Sequence, residues 1–135
     1  MRTAQSSLVL VDSNLWIDFL SRSGSPGRSE LAELMKRRLA ATTGVVSAEV
    51  LNGARSPEHF ARLARLLNRV HYLDTTRAVW ETVAETAFAL KLRGEALPLP
   101  DIVIGAVALQ HGCRLYTLDQ DFRRIPGLEL YEPAQ

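Results

Sequence analysis

The sequence predicts an α/β fold: a three-layer α/β/α sandwich around a central, mostly parallel sheet of four to five strands. Three observations predict it. Short apolar runs rich in β-branched residues recur along the chain, segments with apolar residues at helical spacing separate them, and each strand candidate is apolar on both faces. With 135 residues, 47% hydrophobic, 23% charged and a formal charge of +1, the composition is that of one ordinary globular domain spanning 1–135. A single cysteine, Cys113, leaves no internal disulfide, and no Cys or His cluster has zinc-ligand spacing. No apolar run reaches the roughly 18 residues of a membrane span, and Met1 to Ser7 is short and polar, so a cytoplasmic protein with no membrane partner is expected.

The first strand candidate is Leu8 to Val11, followed by the capping cluster Asp12-Ser13-Asn14 and a short helix through Leu15, Ile17, Phe19 and Leu20. Ser21 to Gly27 reads as a turn segment. Leu31, Leu34, Met35 and Arg38-Leu39 then keep a helical period that should end near Ala41. A second strand is expected over Thr42 to Val46, with Ser47 as the next N-cap and Glu49 in the first turn. Pro57 opens a helix in which Phe60, Leu63, Ala64 and Leu67 share a face, with Arg62, Arg65 and Arg69 to one side as a solvated or partner-facing stripe. Val70 to Leu73 is a third strand, and Asp74, Thr75 and Thr76 cap a long helix from Arg77 to Leu92.

Arg93 to Pro100 is a loop by its Gly and Pro content, and Asp101 should begin a helix, Ile102 to Gln110, that is apolar nearly all round and ended by Gly112. Arg114 to Leu118 is the fourth strand, Asp119 to Phe122 a turn or single helical turn, and Leu128 to Tyr131 a possible edge strand. Trp16 and Trp80 sit at spacings that suit core packing or a dimer interface better than base stacking. His59, His71 and His111 share no motif, and Cys113 reads as a small packed hydrophobe.

Function is carried by the acidic residues. In open parallel sheets ligands bind beyond the carboxyl ends of the strands. Asp12, Glu49, Asp101, Asp119 and Asp121 all fall at those ends. Each alone could be a helix cap. Together they repel one another, and burial would hold some protonated unless a cation sat among them. An all-oxygen anionic set selects a hard divalent ion, Mg²⁺ or alternatively Mn²⁺, whose remaining positions suit phosphate oxygens. The chemistry suggested is metal-assisted attack on a phosphodiester.

Competing chemistries lack their residues. No glycine-rich run ends in Lys-Ser/Thr, no dinucleotide fingerprint follows a strand, and Ser47 lies outside any nucleophile elbow. A phosphoaspartyl protein would want a second Asp where Asn14 stands, and a receiver domain a Lys where Thr117 stands. A binding module that holds RNA or protein without cutting remains the alternative. Fourteen of the sixteen basic residues are Arg, which suits a phosphate-rich partner and equally a compositional bias. Arg93, Arg123 and Arg124, nearest the acidic rim, are the expected phosphate contacts.

Four segments in order, Val11-Asp12-Ser13-Asn14, Val46 to Arg55, Leu97 to Ala106 and Thr117 to Phe122, resemble the PIN-domain ribonucleases, above all the VapC toxins of bacterial toxin–antitoxin pairs. The likeness spans essentially the whole chain. It implies a PIN-like fold and a Mg²⁺-dependent endoribonuclease acting on single-stranded or loop RNA. It matches Asp12, Glu49, Asp101 and Asp119 to an acidic catalytic and metal-binding quartet and Asp121 to a further acidic position. It also matches Ser13, Asn14 and Thr117 to supporting polar positions. A homodimer and a cognate antitoxin that occludes the site are implied as partners. Gly105 stands where relatives commonly carry Ala, a close-packing variation.

Overall fold

A computed structural model describes residues 6–20 and 28–133; the turn expected over Ser21 to Gly27 lies outside the described residues, as do residues 1–5. The elements run β1 (Val9–Val11), α1 (Ser13–Leu20), α2 (Arg28–Lys36), β2 (Ala40–Thr43), α3 (Gly44–Asn52), α4 (Pro57–Leu67), β3 (His71–Leu73), α5 (Arg77–Leu92), α6 (Leu99–His111) and β4 (Arg114–Tyr116), followed by a 3-10 helix (Gln120–Arg124). The sheet order is β3-β2-β1-β4, and every pairing is parallel, with Val9 opposite both Ala40 and Arg114. Parallel neighbours need crossover connections, and right-handed crossovers carry α1 to α4 over one face of this order and α5 and α6 over the other. The α/β/α sandwich follows.

Two expectations fail for one physical reason. The helical period through Arg38-Leu39 predicts a helix running to Ala41, yet α2 stops at Lys36 because Arg38 turns left-handed (φ 57°). The Leu39 N–H reaches back to the Leu34 carbonyl (2.9 Å) and the Arg38 N–H to that of Met35 (3.0 Å), a Schellman-type end whose apolar closing residue is Leu39. The strand therefore begins at Ala40, earlier than Thr42 to Val46, and Gly44 already opens α3. Ser47 lies inside that helix and its hydroxyl meets the Thr42 hydroxyl at 2.9 Å, so it is no N-cap. Thr43 holds the cap position without capping, since its hydroxyl donates to the Leu73 carbonyl (2.6 Å) and stitches β2 to β3.

Elsewhere local chemistry explains the ends directly. Ser56 accepts from the His59 N–H and Thr76 from that of Val79, the bonds expected of N-caps. The helix α6 starts two residues before Asp101, with Leu99 and Pro100 in its first turn, where proline loses no needed donor. Gly112 closes it at φ 67°, in the left-handed region. Leu128 to Tyr131 forms a single parallel bridge, Leu115 to Leu130, short of a fifth strand. It still covers the edge of β4, with the Tyr131 N–H donating to the Leu115 carbonyl and the Tyr131 hydroxyl to Glu30.

The core lies between sheet and helices. Ile102 to Ala108 are all buried, which accounts for a helix apolar on every side. Trp16 is fully buried, whereas Trp80 stands 51% exposed, separating the two readings these residues shared. Cys113 is packed away as expected.

Gly105 sits in the middle of α6 against Ile125, whose Cδ1 would lie 2.5 Å from an added Cβ. Alanine at 105 therefore gains about 1 kcal/mol of helix propensity only by displacing a buried side chain. Ile125→Val removes that methyl at a cost of roughly 0.5–1.5 kcal/mol. In urea unfolding, Gly105→Ala combined with Ile125→Val should be more stable than the sum of the single changes by about 1 kcal/mol. Strict additivity would show that the contact does not decide the residue at 105.

Candidate active site

The chain steps from β1 to β2 to β3 in one direction and returns to place β4 on the far side of β1. The order reverses between β1 and β4, so a crevice opens above their carboxyl ends. Asp12 ends β1 there, and its N–H extends the ladder by donating to the Tyr116 carbonyl (2.9 Å), which aligns it with Thr117 after β4.

Asp12 is only 6% exposed, and both of its carboxylate oxygens accept hydrogen bonds. Oδ1 takes the Ser13 N–H at 2.8 Å and stands 3.5 Å from the Ser13 hydroxyl. Oδ2 takes the Thr117 hydroxyl at 2.7 Å. Thr117 is used twice, because the Asp119 N–H donates to the same hydroxyl oxygen at 3.0 Å. Asp119 in turn accepts from the Asp121 N–H (2.9 Å) and caps the 3-10 helix. One threonine side chain thus connects two carboxylates from different segments. Asp101 is half-buried in the first turn of α6, and Glu49 projects from the middle of α3 with its side chain open to solvent. Asn14 faces solvent at the start of α1.

These carboxyls influence one another electrostatically. Burial pushes the Asp12 carboxyl up, its hydrogen bonds to Thr117 and Ser13 oppose the shift, and the Asp119 charge adds to it. Partial desolvation and then the Asp12 charge raise Glu49, while the Ser13 hydroxyl counteracts them. Asp101 is pushed up to about 6, first by desolvation and then by Asp12, Asp119, Glu49 and Asp121 in turn. Four other carboxylates act on it. A carboxylate in the first turn of a helix ordinarily gains from the helix dipole, by about 0.3–1 kcal/mol, so desolvation and repulsion outweigh that gain here. Among the described residues, no three Asp, Glu, His or Cys groups stand close enough to encage an ion by themselves.

Each of the three rim arginines is engaged. Arg124 pairs with Asp121 (3.4 Å), Arg123 with Glu132 (3.7 Å) and Arg93 with Glu95 (3.5 Å). Arg93 also donates to the Arg124 main-chain carbonyl at 3.0 Å, a contact no local sequence pattern announces. A second concavity of about 670 Å³ opens between α1, α3 and α4, lined by Ile17, Leu20, Val50 and Leu63 together with Arg55 and Arg62. It is lined in part by the arginine stripe of α4, and nothing in the spacing of its residues along the chain marked it.

Residues 9–128 match the PIN domain family. The chain is similar to the ribonuclease VapC21 of Mycobacterium tuberculosis, at 35% identity over 104 residues, 75% of each chain. The toxin-antitoxin complex from Klebsiella pneumoniae superposes with a TM-score of 0.66 at 27% identity, over 89% of this chain and 94% of that one. The crystal structure of VapBC2 from Rickettsia felis bound to a promoter DNA fragment superposes with a TM-score of 0.79 at 21% identity, over 92% and 97% of the two chains.

Asp101 supplies a pH test of the crowding. Its folded-state pKa lies above the unfolded value of 3.8, so its contribution to stability is present below pH 4 and is lost as pH rises through 6. In metal-free buffer Asp101→Asn should therefore stabilise the protein at pH 7, by about 1 kcal/mol after allowance for solvent screening of a half-exposed group. The gain should vanish near pH 4. Urea unfolding at the two pH values measures it, and an Asn variant that is less stable at pH 7 would show the carboxylate to be a net stabiliser.

Proposed function

The chain belongs to the PIN-domain family, among the VapC ribonucleases, and from that premise we propose that it is a metal-dependent endoribonuclease of the cytoplasm and the toxin of a toxin–antitoxin pair. The observation that carries the reading is the meeting of Asp12, Glu49, Asp101, Asp119 and Asp121 at the switch point of the sheet, with Asp12 buried and fixed through both oxygens. Of Asp12, Asp101 and Asp119, one or two would hold Mg²⁺, or Mn²⁺ in its place, directly and the rest through its bound water, with Glu49 and Asp121 at the margin. When bound, the ion supplies charge neutralisation at the phosphoryl oxygens and acidifies water for in-line attack.

The protein's own groups have separable tasks. Thr117 and Ser13 hold Asp12 against rotation by donating to Oδ2 and Oδ1, so one orientation is ready before any substrate arrives. Asp101, crowded by the other carboxylates, brings to the crevice negative charge that a cation would offset. Asn14, exposed beside this pair, is free to meet the ribose-phosphate chain. Arg123 and Arg124 engage exposed side chains, Glu132 and Gln120 for the first and Asp121 for the second, contacts worth little in water, and can exchange them for RNA phosphates.

Two protein partners complete the reading. The concavity between α1, α3 and α4, lined by both apolar and basic side chains, suits an antitoxin segment carrying apolar and acidic side chains. The outward face of α5 exposes Phe88 (63%) and Leu92 (71%) with Trp80, opposite the buried Val79, Val83 and Leu90. Such a face suits a second copy of the chain.

Two measurements test this. Incubation with structured and unstructured RNA should give cleavage that needs Mg²⁺ and stops with a chelator, and Asp12→Asn or Asp101→Asn should lower the rate about a hundredfold or more with the circular dichroism unchanged. Binding without turnover across RNAs and metals would replace the enzyme by a binding module. Sedimentation should show a dimer that Phe88→Glu converts to a folded monomer; a wild-type monomer at tens of micromolar would remove the homodimer.

A further inference from the structure

Arg93 follows α5 directly, and its exposed guanidinium is nonetheless held by two partners. One terminal nitrogen donates to the main-chain oxygen of Arg124 at 3.0 Å and lies 3.5 Å from the Glu95 carboxylate. Arg124 is the last residue of the 3-10 helix. The final carbonyls of any helix lack an intrahelical donor, and here a side chain from another element supplies one. The opposite end of the same helix is capped by Asp119, which accepts the Asp121 N–H. A helix of only five residues is therefore tied at both ends, by a carboxylate of the site at one and by Arg93 at the other, with Phe122 and Ile125 buried beneath it.

The loop that carries Arg93 leads straight into α6, whose first turn holds Asp101. Arg93 thus joins the segment bearing Asp101 to the segment bearing Asp119 and Asp121. We infer that Arg93 is a positioning residue that sets the spacing between these carboxylates, and that it does not contact RNA phosphate. Two features oppose the phosphate role expected from its place near the rim. Its donor is committed to a backbone carbonyl, and Glu95 beside it offsets its charge. Arg123 and Arg124 also sit beside carboxylates, but their partners are all exposed side chains that can swing away, whereas the carbonyl that holds Arg93 is fixed in the backbone.

The inference rests on the nuclease reading for its kinetic consequence and stands apart from it structurally, so the experiment has two arms. In the first, Arg93→Ala should lower kcat about tenfold or more, as small misplacements of reacting groups do, with KM for RNA within about twofold. Arg93→Lys, which keeps a donor for the carbonyl, should recover most of the loss. With Asp101→Asn as a background that binds without turnover, adding Arg93→Ala should leave the salt dependence of RNA affinity unchanged. A raised KM with unchanged kcat, and a salt slope smaller by about one, would make Arg93 a phosphate contact and overturn the inference. The second arm needs no RNA. Arg93→Ala should speed hydrogen exchange at the Asp121 and Ile125 amides by about tenfold while leaving amides of α4 unchanged, and unaltered exchange there would refute the strut. If the wild-type protein cleaves no RNA but exchange still quickens, the nuclease reading fails and the strut survives.

Discussion

Carboxylates repel, and this fold gathers five of them above the junction of β1 and β4. Everything distinctive about the site follows from holding them there. Asp12 is buried at the end of a central strand, where an unpaired carboxylate would ordinarily be costly, and it survives because two hydroxyls and one backbone N–H surround it. Thr117 spends its one hydrogen on Asp12 and its lone pair on the Asp119 backbone, so the fourth strand's exit is locked to the first strand's exit. Asp101 lies in the first turn of α6, and desolvation with the neighbouring carboxylates pushes it up to about 6. A charge cluster of this kind lowers the stability of the protein that bears it unless positive charge enters, which is the usual trade at a functional site.

The scaffold makes that trade affordable by rigidity elsewhere. The helix that delivers Asp101 is buried from Ile102 to Ala108, so its first turn cannot retreat from the crevice without opening the core. The sheet contributes through parallel pairing, since β2, β1 and β4 all end on the same side and point their following residues into one space. The 3-10 helix after β4 is short, with only Phe122 buried, and it is there that the side chain of Arg93 intervenes.

Much of this was legible in the amino-acid sequence because a strand end is a strong local signal. Leu8 to Val11 followed by Asp12, and Arg114 to Leu118 followed by Asp119, announce both strands, although β4 already stops at Tyr116 and leaves Thr117 beyond its end. The apolar run after Asp101 announces a central helix, and the four motifs in order carry the family resemblance. What escaped was set by backbone geometry at single residues. Leu39 looks like one more helical turn because the closing residue of a Schellman end is apolar and falls close to the helical period; only the left-handed Arg38 reveals the stop. Ser47 looks like a cap because the hydroxyl that should be compared with it, on Thr43, is diverted to a neighbouring strand. Glu49 was placed three residues beyond a strand and lies six beyond it, yet one and a half turns of α3 still bring it within reach of Asp12. The Arg93 contact pairs residues 31 apart, a distance over which no pattern in this one chain speaks.

The most direct test of the shared-cation account leaves RNA aside. Thermal melting at pH 7 should show Mg²⁺ raising the Tm of the wild-type protein over a chelated sample, with the increment growing with Mg²⁺ concentration as binding to the folded state requires. The increment should largely disappear when Asp12, Asp101 and Asp119 are each replaced by Asn. Equal melting with and without Mg²⁺ in the wild type, or an increment indifferent to those three replacements, would mean that the carboxylates meet for another reason.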